Sequence, residues 1–200
     1  MKLFVTPTSP YARLTTIVRL ELGLSGEVEL VWTRTRQPDD PMLDINPSGR
    51  VPYLLLDDGT VFEDTDLIVE FLDRLSPARR FARPDPEMTT AEAYWAYRRH
   101  ETTARSMLDG LSVWGREVVR PANEQSPGII EHERRRAARL SDLFETLVTD
   151  DVFSGPMNLP QLLLFSALNM NRRLVAFDWE NGRPDLAAWF DRMQEIPSVR

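Results

Sequence analysis

Three short segments hold residue types whose spacing could support chemistry. The first is Thr8-Ser9-Pro10-Tyr11-Ala12-Arg13. Serine is a favoured N-cap and proline a favoured first helical residue, so Ser9–Pro10 marks a helix start. Free amides and the helix dipole favour negative charge there. The Ser9 hydroxyl is therefore either a cap alone or a cap that also donates to a bound anion. The second segment is Asn46-Pro47-Ser48-Gly49-Arg50-Val51-Pro52. Pro-Ser-Gly makes a tight turn, and Pro52 stands at a strand entry, where proline is tolerated. One reading is an ordinary loop with a trans proline. The other is a cis Val51–Pro52 bond that presents the Val51 amide and carbonyl to a ligand. The third is Glu63-Asp64 before a helix, where acidic residues either cap or hold a cation.

The composition narrows that chemistry. With 24 Lys plus Arg against 31 Asp plus Glu, the net charge of −7 argues against a general nucleic-acid surface. No cysteine is present, which removes disulfides, thiolate metal sites and cysteine nucleophiles. His100 and His132 are too few for a multi-histidine zinc site, so no metal is expected. The opening Met-Lys-Leu-Phe-Val-Thr-Pro reaches proline before a signal-peptide apolar run forms, and no stretch is apolar enough to span a bilayer. A soluble, cytoplasmic protein is expected, with chemistry resting on hydroxyls, carboxylates or a group supplied by a ligand. Lys2 is the only lysine, and the run Arg134, Arg135, Arg136 and Arg139 reads as a solvated helix face supported by Glu131.

The elements that must position the three segments follow from periodicity. Lys2–Thr6 reads as a strand. A helix follows with Leu14, Ile17, Val18 and Leu22 at helical spacing and Gly23 as its stop. Val28–Trp32 is a second strand, which makes a right-handed parallel unit with the first. A polar loop spans Thr33–Asn46, with prolines at 38 and 41. Pro52–Leu56 and Thr60–Phe62 flank Asp57-Asp58-Gly59, a hairpin signal. A helix over Thr65–Leu75 is expected to turn Leu67, Ile68, Phe71, Leu72 and Leu75 inward. The order is βαβ, then ββα, over residues 1–75.

Residues 76–86 contain three prolines and three arginines and read as a linker. Residues 87–200 show no strand pattern. Thr89-x-x-Glu92 reads as a capping box opening a long helix that ends before Pro121, with Gly110 and Gly115 as points where it can bend. Ser126–Pro127 opens the next, with Ile130, Ala137, Leu140, Phe144 and Leu147 inward. Asn158-x-x-Gln161 caps an unusually apolar third, and Pro184 opens a fourth with Leu186, Trp189, Phe190 and Met193 at core spacing.

In this order and spacing the motifs resemble the cytosolic glutathione transferase family over the whole chain. The Ser-Pro-Tyr helix start is similar to that of its serine-type, bacterial-like members. Asn46–Leu54 resembles its Asn-Pro-x-Gly-x-Val-Pro segment, and Leu56–Asp64 resembles the run ending in its Glu-Ser pair. Pro184–Trp189 through Pro197–Arg200 is similar to its closing helix. The resemblance implies an α+β thioredoxin-like domain with a mixed sheet, followed by an all-α domain that shapes a cosubstrate site, and a homodimer. It implies conjugation or related thiol transfer in detoxification: the glutathione thiolate attacks a hydrophobic electrophile. A non-catalytic binding or regulatory protein of the same fold, of the stringent-starvation type, is the alternative.

The resemblance carries roles to individual residues. Ser9 donates to the thiolate as the catalytic residue. Val51 pairs with the cysteinyl backbone beside Pro52, Arg50 meets the glycyl carboxylate, and Glu63 or Asp64 takes the ammonium group. Tyr11, Tyr94, Tyr97 and Met107 are candidates for the cosubstrate site. Two positions depart from the family pattern. Asp64 replaces a serine, and Asn158-Leu-Pro-Gln161 replaces a Ser/Thr-x-x-Asp box, where reciprocal Asn and Gln caps are expected. The chain ends at Arg200 with little of the tail that often covers the cosubstrate site, which leaves the second substrate open.

Overall fold

The computed structural model describes residues 1–35, 37 and 40–200. It divides into two compact units, Met1–Ala82 and Arg83–Arg200. In the first, strand β1 (Lys2–Val5) leads into α1 (Pro10–Glu21) and β2 (Glu29–Trp32), then α2 (Met42–Ile45), β3 (Tyr53–Leu55), β4 (Val61–Glu63) and α3 (Thr65–Leu75). The sheet order is β2-β1-β3-β4. β2 runs parallel to β1, while β3 is antiparallel to both β1 and β4, so the sheet is mixed. Leu3 and Val5 alternate inward along β1, as a strand with one buried face requires. Phe4 and its cross-strand partner Tyr53 stack at 4.3 Å.

Helices α1 and α3 pack against one another. The α1 stop is as expected: Gly23 takes φ 69° just past the C-cap Leu22. On α3 the buried face differs from the expected one. Thr65, Ile68, Val69, Leu72 and Asp73 are inward, while Leu67 and Leu75 are exposed. The positions i, i+3, i+4, i+7 and i+8 from Thr65 form one helical face, which holds the expected Ile68 and Leu72; Phe71 is half-buried, and Leu67 and Leu75 lie off it. The stretch 33–46 is also more than a loop, because Met42–Ile45 forms a helical turn. Pro38, placed in that loop by the sequence reading, lies outside the described residues. Beyond α3, Phe81 is buried and its amide donates to Asp73 Oδ1 at 2.7 Å.

The second unit is helical: α4 (Ala91–Glu117), α5 (Pro127–Leu147), α6 (Asp151–Ser154), α7 (Leu159–Leu168) and α8 (Pro184–Gln194), with two short 3₁₀ turns. The cap of α4 is Thr90, whose side chain accepts from Ala93 N, rather than Thr89. That shift places Glu92 one residue too early for a reciprocal box. The helix runs unbroken through Gly110 and Gly115. α7 is apolar on every face and buried at all ten positions, with α4 packed along it. Asn158 caps α7 by accepting from Gln161 N, but the expected reciprocal bond is not formed. Gln161 Nε2 instead donates to the carbonyls of Val152 and Gly155 at 2.9 and 3.1 Å, tying the α6 turn to the helix. Glu101, 1% exposed, is clamped by both arms of Arg83 and by Arg98.

Candidate functional site

The sheet register decides which segments meet. Antiparallel pairing sets Phe4 of β1 opposite Tyr53 of β3, and Tyr53 opposite Glu63 of β4. The C-terminal end of β1, the N-terminal end of β3 and the C-terminal end of β4 therefore share one edge of the sheet. The turn to Ser9, the Val51–Pro52 bond and Glu63–Asp64 all emerge there. Adjacent strands lie about 4.8 Å apart, so β1 and β4 are separated by roughly 10 Å, the span of an extended tripeptide. Two helix N-termini, those of α1 and α3, open at the same edge.

Ser9 takes extended backbone angles and its Oγ accepts from Ala12 N at 3.2 Å, while Pro10 occupies the first helical turn. The hydroxyl proton has no acceptor among the described residues, so Ser9 serves as a cap and retains a free donor. Tyr11 is half-buried beside it.

The loop before β3 is held from within. Asn46, 3% exposed, donates through Nδ2 to Arg50 O at 3.0 Å, and its backbone carbonyl accepts from Gly49 N at 2.9 Å. Gly49 has φ 63° and Leu43 Cδ2 lies 3.1 Å from where a Cβ would stand, so a larger residue is disfavoured both by conformation and by contact. The Val51–Pro52 bond is cis. Pro52 is buried and Val51 half-buried. Arg50 is exposed, and its guanidinium has no partner among the described residues.

Glu63 ends β4 and is exposed; one of its oxygens, Oε2, accepts from the Ser48 hydroxyl. Asp64 caps α3, its Oδ1 accepting from Asp66 N at 2.9 Å, with backbone φ 77°. Left-handed angles are costly for most side chains but tolerated by Asp, whose short carboxylate bonds the local backbone. Asp64 thus sets a negative charge at the positive end of the helix. Ser48 and Tyr53 escaped the sequence reading as site features. The Ser48 signal is its place in the Pro-Ser-Gly turn. Tyr53 gives none, because its hydroxyl is orphaned among the described residues only by the fold; burial, reinforced by Asp40, pushes its pKa up to about 12.

The second unit treats its candidates differently. Tyr94 is half-buried and touches exposed Trp95 edge-on. Tyr97 is 9% exposed and Met107 1% exposed, so Met107 is core and offers a ligand no surface. Helical spacing alone could not separate a lining position from a core one. A surface pocket of about 380 Å³ lies among Phe153, Met157, Gln161, Trp189, Arg192 and Ile196, none of them a sequence candidate. Among the described residues no cluster of three His, Asp or Glu side chains could hold a metal ion, and no helix is long and apolar enough to cross a membrane.

Residues 3–80 match the family described as glutathione S-transferase, N-terminal domain. Over these residues the chain is similar to the glutathione transferase family. It is 29% identical over 188 residues to the uncharacterized GST-like protein YibF of Escherichia coli (strain K12), covering 93% of this chain and 90% of that one. It is 26% identical to glutathione S-transferase 2 of Saccharomyces cerevisiae (strain ATCC 204508 / S288c), covering 100% of this chain and 88% of that one. Its fold superposes on a glutathione S-transferase from Methylobacillus flagellatus KT, solved with glutathione bound, at a TM-score of 0.82 and 26% identity over 99% of this chain and 96% of the other. The first unit is thioredoxin-like and the second is the helical unit of this transferase fold.

Proposed function

We propose that this glutathione transferase relative binds glutathione at the first unit and activates its thiolate for attack on a hydrophobic electrophile. The observation that carries the reading is the convergence of three segments on one sheet edge, with the Ser9 hydroxyl proton left free there. A relative of the same fold is solved with glutathione bound, which supports the ligand class. A free thiol with a pKa of about 8.5 is mostly protonated at neutral pH, and the thiolate is the nucleophile. A hydroxyl donor at a helix N-terminus lowers that pKa through a charge-assisted bond and the helix dipole. The serine-type assignment rests on Ser9.

The remaining contacts distribute along the tripeptide. The Val51 backbone pairs with the cysteinyl residue in strand fashion, beside Pro52. Arg50, unpartnered among the described residues, meets the glycyl carboxylate. Glu63 takes the ammonium group. Asp64 already occupies the Asp66 amide, so the γ-glutamyl carboxylate shares the α3 terminus with a fixed negative charge. Tyr11 in the first unit keeps accessible surface for the cosubstrate; Tyr94, in the second, is a separate candidate that is also half-buried. A cytoplasmic homodimer belongs to the same reading, with exposed Trp95 near the start of the long helix as apolar surface for a second copy. Light scattering tests this, with twice the chain mass of 23.0 kDa expected and the single mass refuting it.

Calorimetric titration with reduced glutathione, followed by turnover of a chlorinated aromatic, tests the activity. Saturable binding with conjugate formation is expected. Binding without turnover favours the non-catalytic alternative, and a folded protein that does not bind glutathione refutes the reading.

A further inference from the structure

The pocket of about 380 Å³ has none of the roles above and lies wholly within the helical unit. Ligand sites run from about 300 to 1,000 Å³, so this one suits a small molecule built on one or two rings. Its floor is Phe153 of α6, Met157 before α7, and Trp189 and Met193 of α8, each at most 7% exposed. Trp189 Nε1 donates to Phe153 O at 2.9 Å, so its one polar atom is spent and the residue offers the pocket apolar surface alone. The two rings meet edge-on with centroids 6.1 Å apart. Two thioethers beside two aromatic rings suit a planar ligand, because sulfur packs favourably against ring edges.

Two polar groups at this pocket are left without a task. Gln161 is 2% exposed, and its Nε2 donates to the carbonyls of Val152, Gly155 and Pro156 at 2.9, 3.1 and 3.3 Å. Three acceptors on that side fix the amide's orientation. Oε1 has no partner among the described residues, yet it is not sealed in, so a donor in the pocket can reach it. Arg192 is exposed, and its guanidinium has no partner among the described residues. Of the described residues that line the pocket it is the only charged one, a cation in a chain of net charge −7. The geometry points to a binding site for a small aromatic monocarboxylate. Its ring lies on the Phe153, Trp189 and methionine floor, a hydroxyl or N–H donates to Gln161 Oε1, and the carboxylate pairs with Arg192. The bonds from Gln161 hold the α6 turn in place, so the floor is formed before the ligand arrives. No residue of the glutathione reading takes part, and the inference stands apart from it.

The test is calorimetry on the full chain with para-hydroxyphenylpropionate as probe, beside phenylpropionate, which lacks the donor, and para-ethylphenol, which lacks the carboxylate. One saturable site per chain is expected, with each analogue bound about tenfold more weakly. Arg192→Gln is expected to weaken the probe by a similar factor and to leave para-ethylphenol unchanged, because the lost partner is the carboxylate alone. Arg192→Lys restores part of the affinity. Ile196, half-buried at the rim, is the place to close the pocket, and Ile196→Trp should abolish binding. Arg192 also stands in the last turn of α8, where a cation complements the helix dipole. An Arg192→Gln variant that melts earlier but binds the probe as the wild type does would leave it that structural role and overturn the inference. Probe binding that survives both Arg192→Gln and Ile196→Trp unchanged places the ligand elsewhere and overturns it too. A wild type with no saturable site for the probe does the same, whatever glutathione does.

Discussion

Replacing Ser9 by alanine separates a helix cap from a catalytic donor. The structure assigns Oγ one definite task, accepting from Ala12 N at 3.2 Å. Losing that cap costs about 1 kcal/mol of stability. The hydroxyl proton is free among the described residues, and a bond from it to a thiolate is worth roughly 1.5–3 kcal/mol. At about 1.36 kcal/mol per unit, its removal raises the bound thiol's pKa by about one to two units. The sign follows because the donor stabilises only the ionised form. Well below the midpoint, the thiolate fraction drops roughly ten- to hundredfold, and turnover falls with it at neutral pH and returns in part at alkaline pH. Glutathione affinity changes less, since Arg50, Val51 and Glu63 do not depend on Ser9. The assay is thiolate absorbance against pH for enzyme-bound glutathione, wild type beside Ser9→Ala. Identical midpoints would refute the donor role and leave Ser9 a cap.

Two further perturbations probe the helical unit. His100 is 3% exposed, neither ring nitrogen has a hydrogen-bond partner among the described residues, and Asp150 Oδ2 lies 3.6 Å from Nε2. Burial, aided by Arg99 and opposed by Asp150, holds its pKa below the ordinary 6.5. The unfolded chain therefore binds the proton first, so stability is intact above about pH 6.5 and declines as pH falls toward the depressed folded value. The melting temperature should fall less steeply between about pH 7 and 5 in His100→Gln than in the wild type, and parallel profiles would sink the argument. At Gly110 an added Cβ would stand 2.3 Å from Glu133 Oε2, and Glu133 is buried and paired with Arg136. Gly110→Ala gains up to about 1 kcal/mol in helix propensity but incurs roughly 1–3 kcal/mol of overpacking. A lowered urea midpoint, relieved by adding Glu133→Ala, is expected; a raised one would show that the Glu133 side chain yields freely.

The sequence by itself determined most of the elements, though not the short helices Met42–Ile45 and Asp151–Ser154. Ser9–Pro10, Gly23, Asp57-Asp58-Gly59 and Ser126–Pro127 act through their own backbone preferences and local hydrogen bonds, and the structure places a helix start, a helix stop, a hairpin and a second helix start there. Local signals slipped where two residues compete for one task, as Thr89 and Thr90 do for the cap of α4. What only the tertiary structure decided depends on contacts between distant residues. Which face of α3 is buried follows from its packing against α1 and the sheet, so Leu67 is exposed and Asp73 is not. Met107 became core because α4 packs against α5 and α7, which helical spacing cannot reveal. The link from Ser48 to Glu63 spans 15 residues and exists because β3 and β4 bring the turn and the strand end to one edge. A motif read along the chain names the residues of a site, but their orientation is set by neighbours that only folding supplies.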